Sequence, residues 1–216
     1  MKGQEEGNIA DSEKVLEIIR QMAQVIEEHK DELTQLDQPI GDSDHGINMA
    51  RGFQAVEQKL PGLEGKDIGT ILKTVGMTLV STVGGASGPL YGTAFMKAGM
   101  EAAGKTQLDL DGFLKLMDAA AAGVSQRGKA VEGEATMLDA MIPSITAMKE
   151  AKAAGTETAG VLQAGAKAAW TGAEHTKDLV ATKGRASYVG ERGLGHQDPG
   201  ATSYCYLLET IAKAYS

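Results

Sequence analysis

Apolar residues recur along most of the chain with the period of α-helices. Near the N-terminus, Val15, Ile19, Met22 and Ile26 follow one another at spacings of three and four residues, and Asp11 precedes them as a candidate helix cap. Similar patterns, bounded by glycine, proline or aspartate, predict eight helices. These cover approximately residues 11–29, 46–60, 68–80, 90–103, 109–127, 136–154, 156–182 and 201–215. Short connections favour antiparallel neighbours, so we expect an all-α fold in a single domain of residues 1–216.

Composition supports the helical prediction and narrows the classes of function. Aromatic residues make up only 4% of the chain, and abundant alanine favours helix over strand. The net charge of −8 argues against binding to nucleic acid or to an anionic membrane surface, because both require a basic face. One cysteine, Cys205, excludes an internal disulfide. Because the chain also shows no signal segment and no run of about 18–20 apolar residues, we expect a cytoplasmic protein.

The segment Leu36–Asn48 separates the first two predicted helices and concentrates acidic side chains. Asp37, Asp42 and Asp44 would repel one another unless a cation lay among them. Oxygen ligands of this kind favour a hard ion such as Mg²⁺ or Ca²⁺. A solvated polar turn with an aspartate helix cap explains the same residues. His45 is open to several roles: general base, metal ligand, phosphate donor or structural histidine.

Two further polar loops interrupt the helical pattern. In Gly84–Gly88, backbone N–H groups and the dipole of the next helix could hold an anion, although a tight turn with positive φ explains the glycines as well. The loop Lys183–Gly200 contains Arg185 and His196, which either offer cations to a phosphate or remain solvated. Antiparallel helices would bring alternate loops to one end, which predicts a metal-assisted, phosphate-binding site there. The sequence has no P-loop, dinucleotide-binding or EF-hand pattern.

The loop motifs together resemble a known family. The segments Leu36–Met49, Val83–Leu90, Lys183–Tyr188 and Gly195–Thr202 are similar, in the same order, to the nucleotide-binding L subunit of bacterial dihydroxyacetone kinases. The resemblance implies a closed barrel of eight antiparallel, amphipathic helices with the nucleotide at one end. It also implies a phosphotransferase subunit that acts on an alcohol group.

The same resemblance implies a set of site residues. Two Mg²⁺ ions would be held by Asp37, Asp42 and Asp44. ADP or ATP would be bound by a larger set, in which Arg185 has an electrostatic role: His45, Gly46, Ile47, Asn48, Ala86, Ser87, Gly128, Met137, Arg185, Asp198, Pro199 and Gly200. Two positions depart from the family pattern. Ser43 stands where glycine or alanine is usual, and we expect little effect; Ala135 stands where lysine is frequent, so any lysine–phosphate contact there is lost.

Three functions remain as alternatives. In the favoured one, ADP stays bound as a cofactor, passes a phosphoryl group to dihydroxyacetone held covalently on a separate K subunit, and is recharged by a phosphohistidine M subunit of the phosphoenolpyruvate phosphotransferase system. Chain length supports a separate L subunit, because kinases that fuse the K and L parts would be far longer than 216 residues. The second is a subunit that exchanges ATP and acts on another short ketose. The third is a non-enzymatic nucleotide-binding regulator module. A homodimer is one assembly that the sequence leaves open.

Overall fold

The computed structural model describes residues 10–216, and this part of the chain forms nine α-helices and two very short strands. The helices are α1 (Ser12–Glu28), α2 (Lys30–Asp37), α3 (His45–Glu57), α4 (Ile68–Thr82), α5 (Ser87–Glu101), α6 (Leu110–Gly128), α7 (Leu138–Ala153), α8 (Thr158–His175) and α9 (Pro199–Lys213). The strands β1 (Ala10–Asp11) and β2 (Gln107–Leu108) pair antiparallel. Short 3-10 helices cover Leu60–Leu63, Thr176–Asp178, Arg185–Tyr188 and Gly190–Gly193. Within residues 10–216, every helix is too short or too polar to cross a membrane.

Eight of the nine helices in the described residues form a closed ring. Consecutive helices from α3 to α9 pack side by side, α9 packs against α1, and α1 packs against α3. The remaining helix, α2, packs on α3 and α9. The predicted all-α barrel of eight helices is therefore confirmed, with α2 as an additional short helix.

The apolar faces of the helices turn toward the interior of the ring. On α1, Ile19, Met22 and Ile26 are buried at the spacing that the sequence predicts. Phe53 of α3 and Leu79 of α4 are fully inaccessible to solvent. Burial of each large apolar side chain contributes roughly 1.5–3 kcal/mol, so the shared interior holds the ring together. An apolar cavity of about 160 Å³ remains among the interior side chains.

Hydrogen bonds between connections fix which helix ends lie together. The pairing of β1 with β2 places the start of α1 beside the start of α6, and the Ser12 N–H donates to the Thr106 carbonyl at 3.1 Å. At the start of α4, the Ile68 N–H donates to the Lys105 carbonyl at 2.7 Å. Helices α1, α4 and α6 therefore begin at one end of the barrel. The α2–α3, α4–α5, α6–α7 and α8–α9 connections consequently meet at the opposite end.

Two boundaries differ from the sequence prediction. The segment Lys30–Asp37 forms α2 after a break at His29, although only its Leu33 and Asp37 are buried, so it lacks a periodic apolar face. Helix α8 ends at His175 and not near residue 182. The Thr176 hydroxyl donates to the Ala173 carbonyl at 2.6 Å, a local bond that competes with continuation of the helix.

Pro143 lies inside α7, as the sequence predicts, and it affects how α7 packs. Proline has no N–H, so the carbonyl of Asp139, four residues earlier, loses its helical partner. Gly172 of α8 lies so close to this carbonyl that an added Cβ would overlap the oxygen. The proline and the glycine together let α7 and α8 approach closely.

Candidate functional site

Four connections enclose a cavity of about 310 Å³ at the end of the barrel where they meet. This volume lies at the lower end of the range for small-molecule sites. All but two of the residues predicted for the site line the cavity. These are Asp37, Asp42, Asp44, His45, Asn48, Ala86, Ser87, Gly128, Met137, Arg185, Asp198, Pro199 and Gly200. The fold thus brings together residues that are far apart in the sequence, as the alternation of loops predicts.

Three carboxylates from the α2–α3 connection form the acidic part of the cavity. One oxygen from each of Asp37, Asp42 and Asp44 lies within 4.8 Å of the other two. Oxygens at this spacing can share a divalent cation, and an all-oxygen set suits a hard ion such as Mg²⁺. The three predicted ligands are therefore close together, while the identity and number of ions stay predictions.

Asp37 also organises the start of α3. Its Oδ2 accepts the backbone N–H of Asp44 at 3.0 Å and of His45 at 3.2 Å, so it caps α3, which begins eight residues further along the chain. Its other oxygen faces Gly41, where an added Cβ would overlap the carboxylate. Glycine at position 41 therefore permits the turn that brings Asp42 and Asp44 beside Asp37.

Cationic side chains lie at the edge of the cavity. A guanidinium nitrogen of Arg185 is 2.9 Å from the carboxylate of Asp42. Beside it, the ammonium of Lys183 is 3.3 Å from the carboxylate of Glu134, which also accepts a 2.7 Å hydrogen bond from the Thr182 hydroxyl. The Arg185 contact joins the α8–α9 connection to the α2–α3 connection, and the contacts of Glu134 join it to the α6–α7 connection. They place positive charge next to the acidic cluster, where a phosphate group bound to a metal ion would need it.

The turn Gly84–Ser87 offers backbone donors to the cavity. Helices α4, α6 and α9 are each preceded by an aspartate that accepts an N–H of the first turn, whereas α5 is preceded by Ala86, which has no such side chain. The first N–H groups of α5 are therefore available to an anion, which the helix dipole also favours. Gly85 has a φ of +64°, and Gly84 lies against the amide of Asn48 without room for a Cβ.

Both ring nitrogens of His45 contact serine hydroxyls. Nδ1 is 3.0 Å from Ser87 Oγ, Nε2 is 2.9 Å from Ser203 Oγ, and Ser203 lies 2.7 Å from the Tyr91 hydroxyl. Burial lowers the pKa of His45 to about 4, so the ring is neutral at physiological pH. His45 therefore brings no positive charge to a phosphate. Its direct contact with phosphate stays a prediction.

Asp198 caps the N-terminus of α9 and faces the same cavity. Its carboxylate accepts the backbone N–H of Ala201 at 2.6 Å, and its own N–H donates to the Thr176 hydroxyl at 2.9 Å. Burial raises the pKa of Asp198 to about 7, and the nearby Asp139 and Asp37 act in the same direction. The carboxyl group is therefore partly protonated near neutral pH, which reduces its repulsion of a bound phosphate.

Two predicted site residues do not line the cavity. Gly46 packs so closely on the Lys30 carbonyl that a Cβ would overlap it, which holds α2 against α3. Ile47 is 50% exposed to solvent and lies outside this cavity. His196, considered as a source of positive charge, also lies outside this cavity, in a groove that Glu32 borders. Contacts of Gly46 and Ile47 with a nucleotide stay predictions.

Sequence reasoning missed several residues that contribute to the site. Arg127 adds a cation to the lining, and Leu90 adds an apolar surface. Lys183 also lines the cavity, and it belongs to the loop that the sequence predicts as a source of cations. Arg127 could have been found from the sequence, because it directly precedes Gly128, which was predicted as a site residue. Tyr91 and Ser203 gave no local signal, since each lies inside a helical pattern and meets His45 only through the tertiary fold.

Comparison with known proteins places the chain in a family. Residues 39–213 match the sequence model described as the DAK2 domain. The chain belongs to the DAK2 domain family. This assignment agrees with the resemblance found in the loop motifs.

Relatives of this DAK2 chain include named subunits of dihydroxyacetone kinases. The PEP-dependent dihydroxyacetone kinase, ADP-binding subunit DhaL, of Escherichia coli (strain K12) is 46% identical over 182 residues, which are 84% of this chain and 87% of that protein. The ADP-binding subunit DhaL of PEP-dependent dihydroxyacetone kinase 1 from Listeria innocua is 41% identical, over 94% of this chain and 96% of that protein. The predicted similarity to L subunits is therefore confirmed.

A solved structure gives the same fold for the DAK2 chain. The dihydroxyacetone kinase of C. freundii in its native form superposes with a TM-score of 0.73 at 25% identity and covers 99% of this chain. This chain spans 36% of the length of that kinase. A structure of the same kinase in complex with AMP-PNP and Mg²⁺ gives a TM-score of 0.72 at 24% identity and supports the fold.

Proposed function

We propose that this chain is the ADP/ATP-binding subunit of a dihydroxyacetone kinase coupled to the phosphoenolpyruvate phosphotransferase system. One observation carries the proposal: three carboxylates and the uncapped N-terminus of α5 meet in one cavity. Carboxylates favour divalent cations and helix N-termini favour anions, and a magnesium-bound nucleotide has both. The relatives support the phosphoryl donor, because their names specify PEP or PTS dependence at 41–46% identity.

A pair of Mg²⁺ ions would occupy the acidic cluster, whose oxygen ligands suit a hard cation. Asp37, Asp42 and Asp44 would hold them through carboxylate oxygens. When bound, such ions neutralise charge on the phosphates during phosphoryl transfer, a reaction that needs little covalent help from the protein. Arg185, which contacts Asp42, would bind phosphate oxygens with its planar guanidinium.

The remaining wall of the cavity suits the other parts of a nucleotide. The backbone N–H groups at Ala86 and Ser87 would bind phosphate oxygens, and Asn48 would add a side-chain donor. Leu90 and Met137 give an apolar surface for the adenine ring, which favours apolar contact on its faces.

The position of the cavity determines where partners would bind. Because it lies at the end of the barrel, a K subunit carrying dihydroxyacetone would dock over the four connections. A phosphohistidine M subunit would approach the same end to recharge ADP, so the two partners would bind in turn. The homodimer and the cytoplasmic location stay predictions.

The proposal can be tested by following the nucleotide. The chain is purified without added ADP, and native mass spectrometry should show one ADP with two Mg²⁺ ions. With a K subunit, dihydroxyacetone, phosphoenolpyruvate and the phosphotransferase proteins, it should form dihydroxyacetone phosphate. Asp42→Ala should neither retain ADP nor form dihydroxyacetone phosphate, while its circular dichroism spectrum should still show a helical protein. No sugar phosphate with any phosphoryl donor would contradict the proposal.

The alternative subunit, which exchanges ATP and acts on another short ketose, gives a different result in the same experiment. Bound ADP should survive gel filtration if it is a cofactor. Rapid exchange of labelled nucleotide with free ATP, together with transfer to another ketose, would support the alternative.

A further inference from the structure

We propose that Arg51 is a positioning residue for the nucleotide site, because it fixes the orientation of the Asn48 amide. This inference rests on the proposed nucleotide-binding function. Arg51 lies on α3, one turn after Asn48, and points to the outer side of the barrel. It does not line the cavity, so any effect on the nucleotide would act through another residue.

Arg51 makes two directed hydrogen bonds. Its Nε donates to the carbonyl of Thr82 at 2.9 Å, and a terminal nitrogen donates to Asn48 Oδ1 at 2.6 Å. Thr82 is the last residue of α4, where carbonyl groups lack helical partners and a positive charge is favoured by the helix dipole. Arg51 thus joins α3 to the end of α4, directly before the Gly84–Ser87 turn.

The contact with Asn48 settles which way its amide faces. Arginine has only donors, so the amide atom that it contacts must be the oxygen. The NH₂ group of Asn48 is then directed away from Arg51, and it has no hydrogen-bond partner among residues 10–216. Asn48 is buried, lines the cavity and lies against Gly84. Its free NH₂ group is therefore a donor for a phosphate oxygen beside the backbone donors of α5.

Without Arg51, two defects would follow. The Asn48 amide could rotate by half a turn and present its oxygen, which repels a phosphate. The Gly84–Ser87 turn would also lose its link to α3. A lysine at position 51 would keep the charge, but its ammonium lacks the planar fork that bonds Thr82 and Asn48 simultaneously.

A double-mutant cycle separates this role from a general effect of charge or stability. Affinity for ADP with Mg²⁺ is measured by calorimetry for wild type, Arg51→Met, Arg51→Lys, Asn48→Ala and the Arg51→Met/Asn48→Ala double variant. Gln54→Met is the matched control, since Gln54 is exposed one turn further along α3 and does not line the cavity. Thermal unfolding of each variant shows whether it is folded.

Arg51→Met and Asn48→Ala should each weaken binding by about tenfold, as expected for one hydrogen bond to a charged group. The double variant should bind within about twofold of Asn48→Ala, because the orientation of the Asn48 amide is the larger of the two effects of Arg51. Arg51→Lys should lose most of the affinity, and Gln54→Met should match wild type. In nitrogen-15 NMR spectra, the side-chain NH₂ signal of Asn48 is identified as the one that is missing in Asn48→Ala. Arg51→Lys should shift this signal.

Wild-type affinity in Arg51→Met or Arg51→Lys would overturn the inference. The inference would also fail if Arg51→Met weakened ADP binding equally in the presence and in the absence of the Asn48 side chain. Equal losses would indicate that Arg51 attracts the nucleotide by its charge at long range. If wild type itself fails to bind ADP with Mg²⁺, the proposed function is wrong. If wild type binds but the variants do not show the expected coupling, only the role of Arg51 is wrong.

Discussion

Asp37 has two structural roles that substitutions can separate. One of its oxygens accepts the N–H groups of Asp44 and His45, and its carboxylate belongs to the candidate metal cluster. Asparagine retains an acceptor oxygen but loses the charge, whereas alanine loses both. We therefore predict that Asp37→Asn loses Mg²⁺-dependent nucleotide binding with little change in stability, and that Asp37→Ala loses binding and stability together.

The size of the stability effect follows from the hydrogen bonds. Removal of a helix-capping side chain costs about 0.5–2 kcal/mol. A buried N–H left without an acceptor adds roughly 1–3 kcal/mol. A loss near the lower end of their sum, about 2 kcal/mol, would lower the midpoint of thermal unfolding by roughly 4–8 °C for a protein of this size. Asp42→Ala is the matched control, because Asp42 is more exposed and caps no helix; its midpoint should change by less than about 2 °C.

The assay is thermal unfolding with EDTA, repeated with Mg²⁺ and ADP. A ligand at 100 times its dissociation constant stabilises the folded state by about 2.7 kcal/mol, so wild type should unfold several degrees higher with ligand. Asp37→Asn, Asp37→Ala and Asp42→Ala should show no such increase. If Asp37→Ala unfolds at the wild-type temperature in EDTA, the capping role is wrong. If Asp37→Asn or Asp42→Ala keeps the full increase, the assignment of the metal cluster is wrong.

Three further predictions concern backbone strain, helix contact and pH. Ser43 has a φ of +61°, so Ser43→Gly should raise the free energy of unfolding in urea by roughly 0.5–1.5 kcal/mol; no gain would show that the turn is unstrained. Gly46→Ala should lower the same quantity by roughly 2–3 kcal/mol, because the Cβ would overlap the Lys30 carbonyl, whereas Gly62→Ala has open space and should not. The pKa of Asp198 is raised from 3.8 to about 7, so the folded state binds this proton more tightly, and its contribution to stability is lost as the pH rises from about 4 to about 7. Asp198→Asn should remove this decline in the free energy of unfolding, which should amount to roughly 2–4 kcal/mol in urea titrations with EDTA. Equal pH dependence of stability in wild type and Asp198→Asn would refute the prediction.

The ring of eight helices could be predicted because each long helix carries its own evidence. Apolar positions such as Ile19, Met22 and Ile26 on α1 define a buried face without reference to any other segment. Helix α2 has no such face. Its place depends on distant residues, including the close contact of Gly46 and the hydrogen bond from the Tyr206 hydroxyl to Glu32 at 2.7 Å.

The site divides in the same way. Asp37, Asp42 and Asp44 lie within one short segment, so the local sequence alone predicts that they are close together. The contact between His45 and Ser203 joins residues 158 positions apart, and no local pattern marks it. The candidate metal ligands were therefore predictable from a motif, whereas the contacts that hold His45 in place required the fold.

The strain at Ser43 shows the same limit on a smaller scale. The sequence suggested little effect of serine at this position, because serine is nearly as small as alanine. The relevant property is conformation and not size, since a φ of +61° favours glycine over both. The effect of this departure from the family pattern stays a prediction until Ser43→Gly is measured.

The alternation of connections between the two barrel ends has a consequence for how the chain could be rewired. Ala10 and Tyr215 border the same interior cavity near the ends of the described chain, and the residues that line the candidate functional site come only from the opposite end of the barrel. The α7–α8 connection, which contains Gly155, also lies away from that site. A circular permutant that opens the chain at Gly155 and joins the original termini would leave all four site loops uncut. The order in which the helices are synthesised would change, but every segment that lines the cavity would remain intact.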